Sequence, residues 1–299
     1  MSILVVGSIA LDTVETPFGT VSDSPGGSAL YFSAAASFFA PVNMVGVVGQ
    51  DFDFRIVEFL KSRQVDLNGL VVKPGETFRW GGRYHQNMNE RDTLFTYLNV
   101  FETFEPHIPE SYRDSEFVFL ANIDPELQLE VLDRMNSPTL TVLDTMNFWI
   151  SGKRKALEQV IKRVDVLILN DEEIRELTGI PHILQAAEEL RKQGPRVLVI
   201  KKGEHGAVLV REDDYFTAPS YPVSQVMDPT GAGDSFAGGM VGYLATCSRI
   251  SRREWRRAVI YGSTVASFNV ESFSFEKLKT ITRQDIEHRV EKFRGMMRF

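Results

Sequence analysis

Residues 227–245, MDPTGAGDSFAGGMVGYLA, place a Gly-Ala-Gly turn directly ahead of an acid, Asp234, in the first turn of an apolar helix. The first N–H groups of a helix lack intrahelical partners and point out of its end, so Gly231, Ala232 and Gly233 offer main-chain donors to an anion. A carboxylate at that spot repels the anion the loop attracts, unless it acts on a second reactant. Base and donors at this spacing suit phosphoryl transfer, in which Asp234 takes a hydroxyl proton while the N–H groups hold the migrating phosphoryl group. The helix dipole alone also favours an acid here. The loop therefore has to be weighed with the elements that position it.

Short apolar, β-branched runs recur at Ile3–Gly7, Val42–Gly49, Phe117–Asn122, Leu140–Asp144, Val166–Asn170, Val197–Lys201 and Ala207–Arg211. Continuous runs of this length predict central strands covered on both faces, hence a mostly parallel, doubly wound α/β sheet. Helices are expected between them at Gly27–Phe39, Phe52–Arg63, Pro125–Met135, Lys153–Arg163, Glu172–Leu177 and Ile183–Gln193. Several strands finish on a polar residue: Asn122, Asp144, Asn170 and Lys201, with Asp12 shortly after the first. Ligands of open α/β sheets bind outside the carboxyl ends of the strands, so these side chains should line one crevice. Singly each is an ordinary turn former or cap, and Asn170-Asp171-Glu172-Glu173 reads equally well as a capped helix start. The pair Gly26–Gly27 opens a second helix whose start should also offer free N–H groups.

A different texture marks residues 13–24 and 76–101. The first reads as extended, and the second alternates like a half-buried hairpin around the turn NMNERD, residues 87–92. In its second strand both faces carry large groups, Leu94, Leu98 and Val100 against Phe95, Tyr97 and Phe101. A strand apolar on two sides outside the main sheet has to cover a ligand or a partner subunit. We expect one α/β domain over 1–299 carrying these segments as a small β-sheet lid, with a homodimer formed through the lid.

Composition narrows the alternatives. Hydrophobic residues at 43% and charged residues at 24% are ordinary for a globular chain, and a net charge of −7 argues against a nucleic-acid partner. The densest basic cluster, Arg249 to Arg257, interleaves with Glu254 and Trp255 and reads as a solvated helix face. One cysteine, Cys247, excludes an internal disulfide and fits a reducing compartment. Met1 leads within two residues into a strand and no run of about 18 apolar residues occurs, so we expect a cytoplasmic protein with no membrane partner. There is no GxxxxGK[ST] loop, no GxGxxG after a strand, no GxSxG elbow, and no ligand spacing among the five histidines.

Together these segments resemble the PfkB/ribokinase family of sugar and nucleoside kinases. Asp228-Pro-Thr-Gly-Ala-Gly-Asp234 looks like that family's C-terminal signature, D-[TP]-T-G-A-G-D. Gly7…Asp12, Gly26–Gly27, Gly46…Gly49-Gln-Asp51, Asn170-x-x-Glu173 and Lys201-x-Gly203-x-x-Gly206 follow in the family's order over nearly the whole chain. The resemblance implies an ATP- and Mg²⁺-dependent transfer of the γ-phosphoryl group to a hydroxyl, with Asp234 as base and Gly231, Ala232 and Gly233 as anion hole. It implies that Asp12, Gly26 and Gly27, with Asn122 and Asn147 at the strand ends, bind the acceptor. Asn170, Glu173, Lys201, Gly203, Gly206 and Asn269 would serve the nucleotide. Glu173 would act on Mg²⁺ through water, and Asp228 and Thr230 resemble a monovalent-cation (K⁺) site found in some members.

Departures bear on the acceptor. Ser28-Ala29-Leu30-Tyr31 stands where many sugar kinases place an Asn after the glycine pair, and Asp144-Thr-Met-Asn147-Phe-Trp149 resembles a D-x-N-x-R pattern without the arginine. A ribokinase- or fructokinase-like sugar acceptor is the leading reading. A nucleoside stacked on Trp80 is the alternative, beside a vitamin-precursor kinase and a non-catalytic nucleotide- or sugar-binding regulator.

Overall fold

In the computed structural model, which describes residues 1–212 and 214–298, the strands are β1 (Ile3–Val6), β2 (Ala10–Thr16), β3 (Gly19–Gly26), β4 (Val42–Gly49), β5 (Val65–Lys73), β6 (Phe78–Tyr84), β7 (Arg91–Tyr97), β8 (Phe117–Leu120), β9 (Leu140–Asp144), β10 (Val166–Asn170), β11 (Val197–Lys201), β12 (Ala207–Arg211) and β13 (Asp214–Ala218). Among the described residues they form a nine-stranded sheet in the order β13-β12-β11-β10-β9-β8-β1-β4-β5 and a four-stranded sheet, β3-β2-β6-β7. Strands β12 and β13 run antiparallel at one edge, and the other seven are parallel.

The alternation of strand side chains divides the interior in two. Ile3 and Val5 of β1 join one apolar cluster with the helices Ser28–Ala36, Ala232–Ala245 and Arg252–Asn269. Leu4 and Val6 join a second cluster with the helices Pro125–Arg134, Arg154–Ile161, Asp171–Thr178 and Ile183–Arg191. A period of two with both faces apolar is what a sheet covered by helices on each side requires. Two edge strands escape the apolar-run reading. β5 carries Asp66, Asn68 and Gly69 and has a register shift against β4, while β13 is exposed at Tyr215.

The chain leaves β1 toward β4 on one side and returns to β8 on the other, which makes β1 a topological switch point. The parallel strands point their carboxyl ends into one crevice. Next to it, three helices approach closely. A Cβ on Gly238 would lie 2.5 Å from the Phe32 carbonyl oxygen, and one on Gly239 would lie 2.9 Å from a Val265 methyl. Glycine inside a helix costs about 1 kcal/mol against alanine, and here that cost permits backbone contact.

The four-stranded sheet stands off the switch point. β2 and β3 form a hairpin, so the segment read simply as extended reverses at Pro17–Phe18, and β6 adds parallel to β2. Its root is tied to the main sheet by Asp51, which accepts the Thr77 N–H at 2.8 Å, the Thr77 hydroxyl at 2.7 Å and Arg79 Nη2 at 2.9 Å. Residues 99–101, expected to end the second lid strand, belong instead to a 3₁₀ turn, Asn99–Thr103, after β7.

Candidate active site

Gly231 caps the helix Ala232–Ala245 in the left-handed conformation, φ 72°, and no side chain caps it. A Cβ at Gly231 would penetrate the Tyr31 ring, 2.3 Å away, so only glycine seats this loop on that buried ring. Behind the loop, Asn269 Nδ2 donates to the Thr230 carbonyl at 2.9 Å, and Asp228 accepts the N–H groups of Thr230 (2.8 Å) and Ser274 (3.1 Å). Thr230 Oγ1 lies 3.2 Å from the Tyr84 hydroxyl of the lid. Asn269, Asp228 and Thr230 are all buried, so their observed partners belong to the loop and its supports.

In front of the loop, Lys201 at the end of β11 donates to Asp144 at the end of β9, 3.2 Å. A Cβ on Gly233 would sit 3.0 Å from Lys201 Nζ, so the ammonium lies against the start of the catalytic helix. Burial alone would lower the Lys201 pKa. The charges of Asp144, Glu173 and Asp234 outweigh it and hold the ammonium protonated. Asp234 is raised to about 7 by burial, then by Asp144, with Lys201 opposing. Glu173 is also raised to about 7, by burial first, with Lys201 opposing and Asp144 adding to the rise. These are the values of a base poised near neutrality.

Asp12 anchors the other end. Burial, then the charges of Asp228 and Asp234, raise it to about 8, and the Gly27 N–H donates to it. Gly26 leaves the room this carboxylate occupies, since a Cβ there would overlap it at 1.9 Å. The helix start after Gly27 differs from expectation. Ser8 Oγ accepts the Ser28 N–H at 3.1 Å and the Ser8 carbonyl accepts the Ala29 N–H at 3.0 Å, so those donors are spent inside the protein.

Other strand-end residues are similarly engaged. Asn170 Oδ1 accepts the N–H groups of Glu172 (2.9 Å) and Glu173 (2.8 Å) while Glu173 Oε2 accepts the Asn170 N–H at 2.6 Å, a capping box. Asn122 accepts Trp149 Nε1 at 2.8 Å and donates to Met146 Sδ at 3.0 Å. Asn147 is exposed and donates to Glu176. Gly203 and Gly206 form the turn between β11 and β12, and with Lys201, Ala232 and Gly233 they line a cavity of about 410 Å³. That volume is in the range of small-ligand sites.

Arg91, the first residue of β7, is a site residue that sequence spacing did not single out. Its charge lowers the pKa of Asp12, Glu173 and Asp234 alike, so it lies within electrostatic reach of all three. Its guanidinium also lies 5.2 Å from the centre of the Trp80 ring, and Trp80 pairs with Asp12 across β6 and β2. The basic residues Arg252, Arg253, Arg256 and Arg257 do not reach this crevice. They border a separate cleft of about 900 Å³ with Arg294, where Arg252 and Arg256 pair with the buried Asp214.

Among the described residues no group of three His, Cys, Asp or Glu side chains gathers as a metal cage, and no helix is long and apolar enough to cross a membrane.

A doubly wound sheet, a lid over its switch point and a base beside a glycine anion loop define an alcohol phosphotransferase of the ribokinase-like fold. Residues 2–279 match the model of the pfkB family carbohydrate kinases, and the chain belongs to that family. The cytidine kinase of Thermococcus kodakarensis is 30% identical over 270 residues, 87% of this chain and 96% of that protein. The crystal structure of the Methanocaldococcus jannaschii nucleoside kinase superposes with a TM-score of 0.76 at 21% identity, covering 97% of this chain and 98% of that one. A putative ribokinase II from E. coli, in complex with ATP and Mg²⁺, gives a TM-score of 0.78 at 18% identity, covering 97% and 99%.

The raised Asp12 pKa has a consequence for stability. An acid whose pKa rises from 3.8 to about 8 on folding favours the fold below about pH 4, and that contribution is lost as pH rises through 8. Asp12→Asn should therefore melt a few degrees above the ligand-free wild type at pH 8, with the gap closing toward pH 4. Calorimetric melting across this range checks it, and a pH-independent gap contradicts it.

Proposed function

We propose that this chain transfers the γ-phosphoryl group of ATP to a primary hydroxyl of a nucleoside. The observation that carries the reading is Asp234, held near neutrality between Lys201 and Asp144 at the start of the glycine-capped helix. Asp234 takes the acceptor proton as the hydroxyl oxygen bonds to phosphorus and the bond to the departing ADP oxygen breaks. Lys201 and the Gly233 N–H hold the charge that develops on the transferred group, the Ala232 N–H expected to join them being spent on the Pro229 carbonyl at 3.1 Å. Mg²⁺ supplies charge neutralisation along the phosphates, and Glu173 orders the water around it. Asp12, held by the Gly27 N–H, grips acceptor hydroxyls, and Lys201, Gly203 and Gly206 border the donor. Closure of the lid keeps water from replacing the acceptor.

Two features favour a nucleoside over the free sugar that the motifs alone suggested. The 30% likeness to a cytidine kinase extends over 87% of the chain. An indole, Trp80, lies beside Asp12 on the lid and packs over Gly82, giving an apolar surface for a base. We read Asp228 and Thr230 as supports of a K⁺-responsive loop.

The lid also offers a surface for a second copy of this chain. Phe18, Leu94, Tyr97 and Leu98 are exposed on it, and β3 and β7 are open edges. Sedimentation at micromolar concentration should give a dimer, and a monomer contradicts this assignment. ADP release measured with cytidine, other nucleosides, ribose and fructose, with and without K⁺, tests the reaction. A nucleoside should give the highest kcat/KM, by at least about tenfold. Turnover confined to free sugars would overturn the nucleoside assignment.

A further inference from the structure

We infer that the lid turn at residues 87–91 is a wall of the donor site, and that a hydrogen bond from Asn89 to Glu204 positions Arg91 over the carboxylates. The inference rests on reading the 410 Å³ cavity as the donor site. Asn87, Met88 and Asn89 line that cavity together with Gly203, Glu204 and Lys201, although 115 residues separate Asn89 from Glu204. Asn89 Nδ2 donates to Glu204 Oε1 at 3.1 Å. A Cβ on Gly203 would lie 3.2 Å from Asn89 Oδ1, so glycine here admits the lid as well as allowing φ 53°.

Both partners sit on stiff supports. Asn87 Oδ1 accepts the N–H groups of Asn89 (3.3 Å) and Glu90 (3.2 Å), and the His85 N–H donates to the Glu90 carbonyl at 3.1 Å. On the core side, the Glu204 carbonyl accepts the Ser220 hydroxyl, and the His205 N–H donates to the Lys202 carbonyl at 3.0 Å. Arg91 lies two residues beyond Asn89 and is paired with Tyr84 across the hairpin. Fixing Asn89 on the donor loop therefore fixes where the Arg91 charge falls. The Arg91 side chain is exposed, and its contacts with the Trp80 ring and with Tyr84 are to lid residues, so its charge moves with the lid. Asn89 and Glu204 are positioning residues: they act on the reaction through Arg91 and the donor, without touching the acceptor.

Steady-state kinetics of Asn89→Ala, Glu204→Ala and the double variant, with ATP and the best acceptor, test this. Each single variant should raise the KM for ATP roughly three- to tenfold, the worth of one hydrogen bond, and leave the acceptor KM within about twofold. The double variant should be no worse than the weaker single, because one bond is lost once. The acid limb of the kcat–pH profile should move to higher pH, as in Arg91→Met, because the charge that favours ionised Asp234 is no longer held nearby. Exchanging donor and acceptor in Asn89→Asp/Glu204→Gln should restore the ATP KM. An unchanged ATP KM, equal rises in both KM values, or additive singles would overturn the inference. A wild type that neither binds ATP calorimetrically nor releases ADP would overturn the donor reading beneath it instead.

Discussion

The Lys201 ammonium, surrounded by Asp144, Glu173 and Asp234, is the interaction on which the site depends. Burial first, and the neighbouring Asp144 charge with it, push Asp234 and Glu173 up to about 7 while Lys201 opposes the rise. In the proposed reaction Asp234 is the base near neutrality, and Glu173 is a second acid that gives up its proton when a further positive charge arrives. Arg91, on the lid, is one positive charge that already acts on both groups. A bound divalent cation is another. In the proposed reaction catalytic competence follows from charge balance, a divalent cation brought with the donor adding to Lys201 and Arg91.

Every element nearby serves to hold those groups at that spacing. Parallel strands bring Asp144, Asn170 and Lys201 to one edge of the sheet because their carboxyl ends point the same way. Glycines then let backbone enter where side chains would block it. Gly231 rests on Tyr31, Gly233 meets Lys201 and Gly26 makes room for Asp12. The cost appears in stability, since Asp12, Asp228 and Asp234 all have raised pKa values in a buried setting. Asn269, fully buried and bonded to the Thr230 carbonyl, shows how far from the reacting atoms that support extends.

Much of this architecture can be read from the chain because its signals are local. Apolar runs such as Val166–Leu169 have one stable setting, a strand covered on both sides, and the Gly-Ala-Gly-Asp turn has few conformations open to it. Elements whose identity depends on neighbours are harder to read. β5 is interrupted by polar residues and becomes a strand only because β4 lies beside it. Asn122 just after β8, and Asn147 at the start of the helix Asn147–Gly152 that follows β9, have the right types, yet Trp149 and Glu176 engage them. The helix start at Ser28 has the right glycines, but Ser8 fills its donors. Arg91 and Asn89 gave no local sign, since their meaning comes from a lid that folds across more than a hundred residues of intervening chain.

The account stands on proton removal by one carboxylate whose loss need not disturb nucleotide binding. Asp234→Asn keeps the shape of the helix start and removes the base. With a productive acceptor, kcat should fall by about 10²–10⁴, while the calorimetric Kd for ATP stays within about threefold of wild type. Turnover close to wild type, with ATP binding intact, would contradict it.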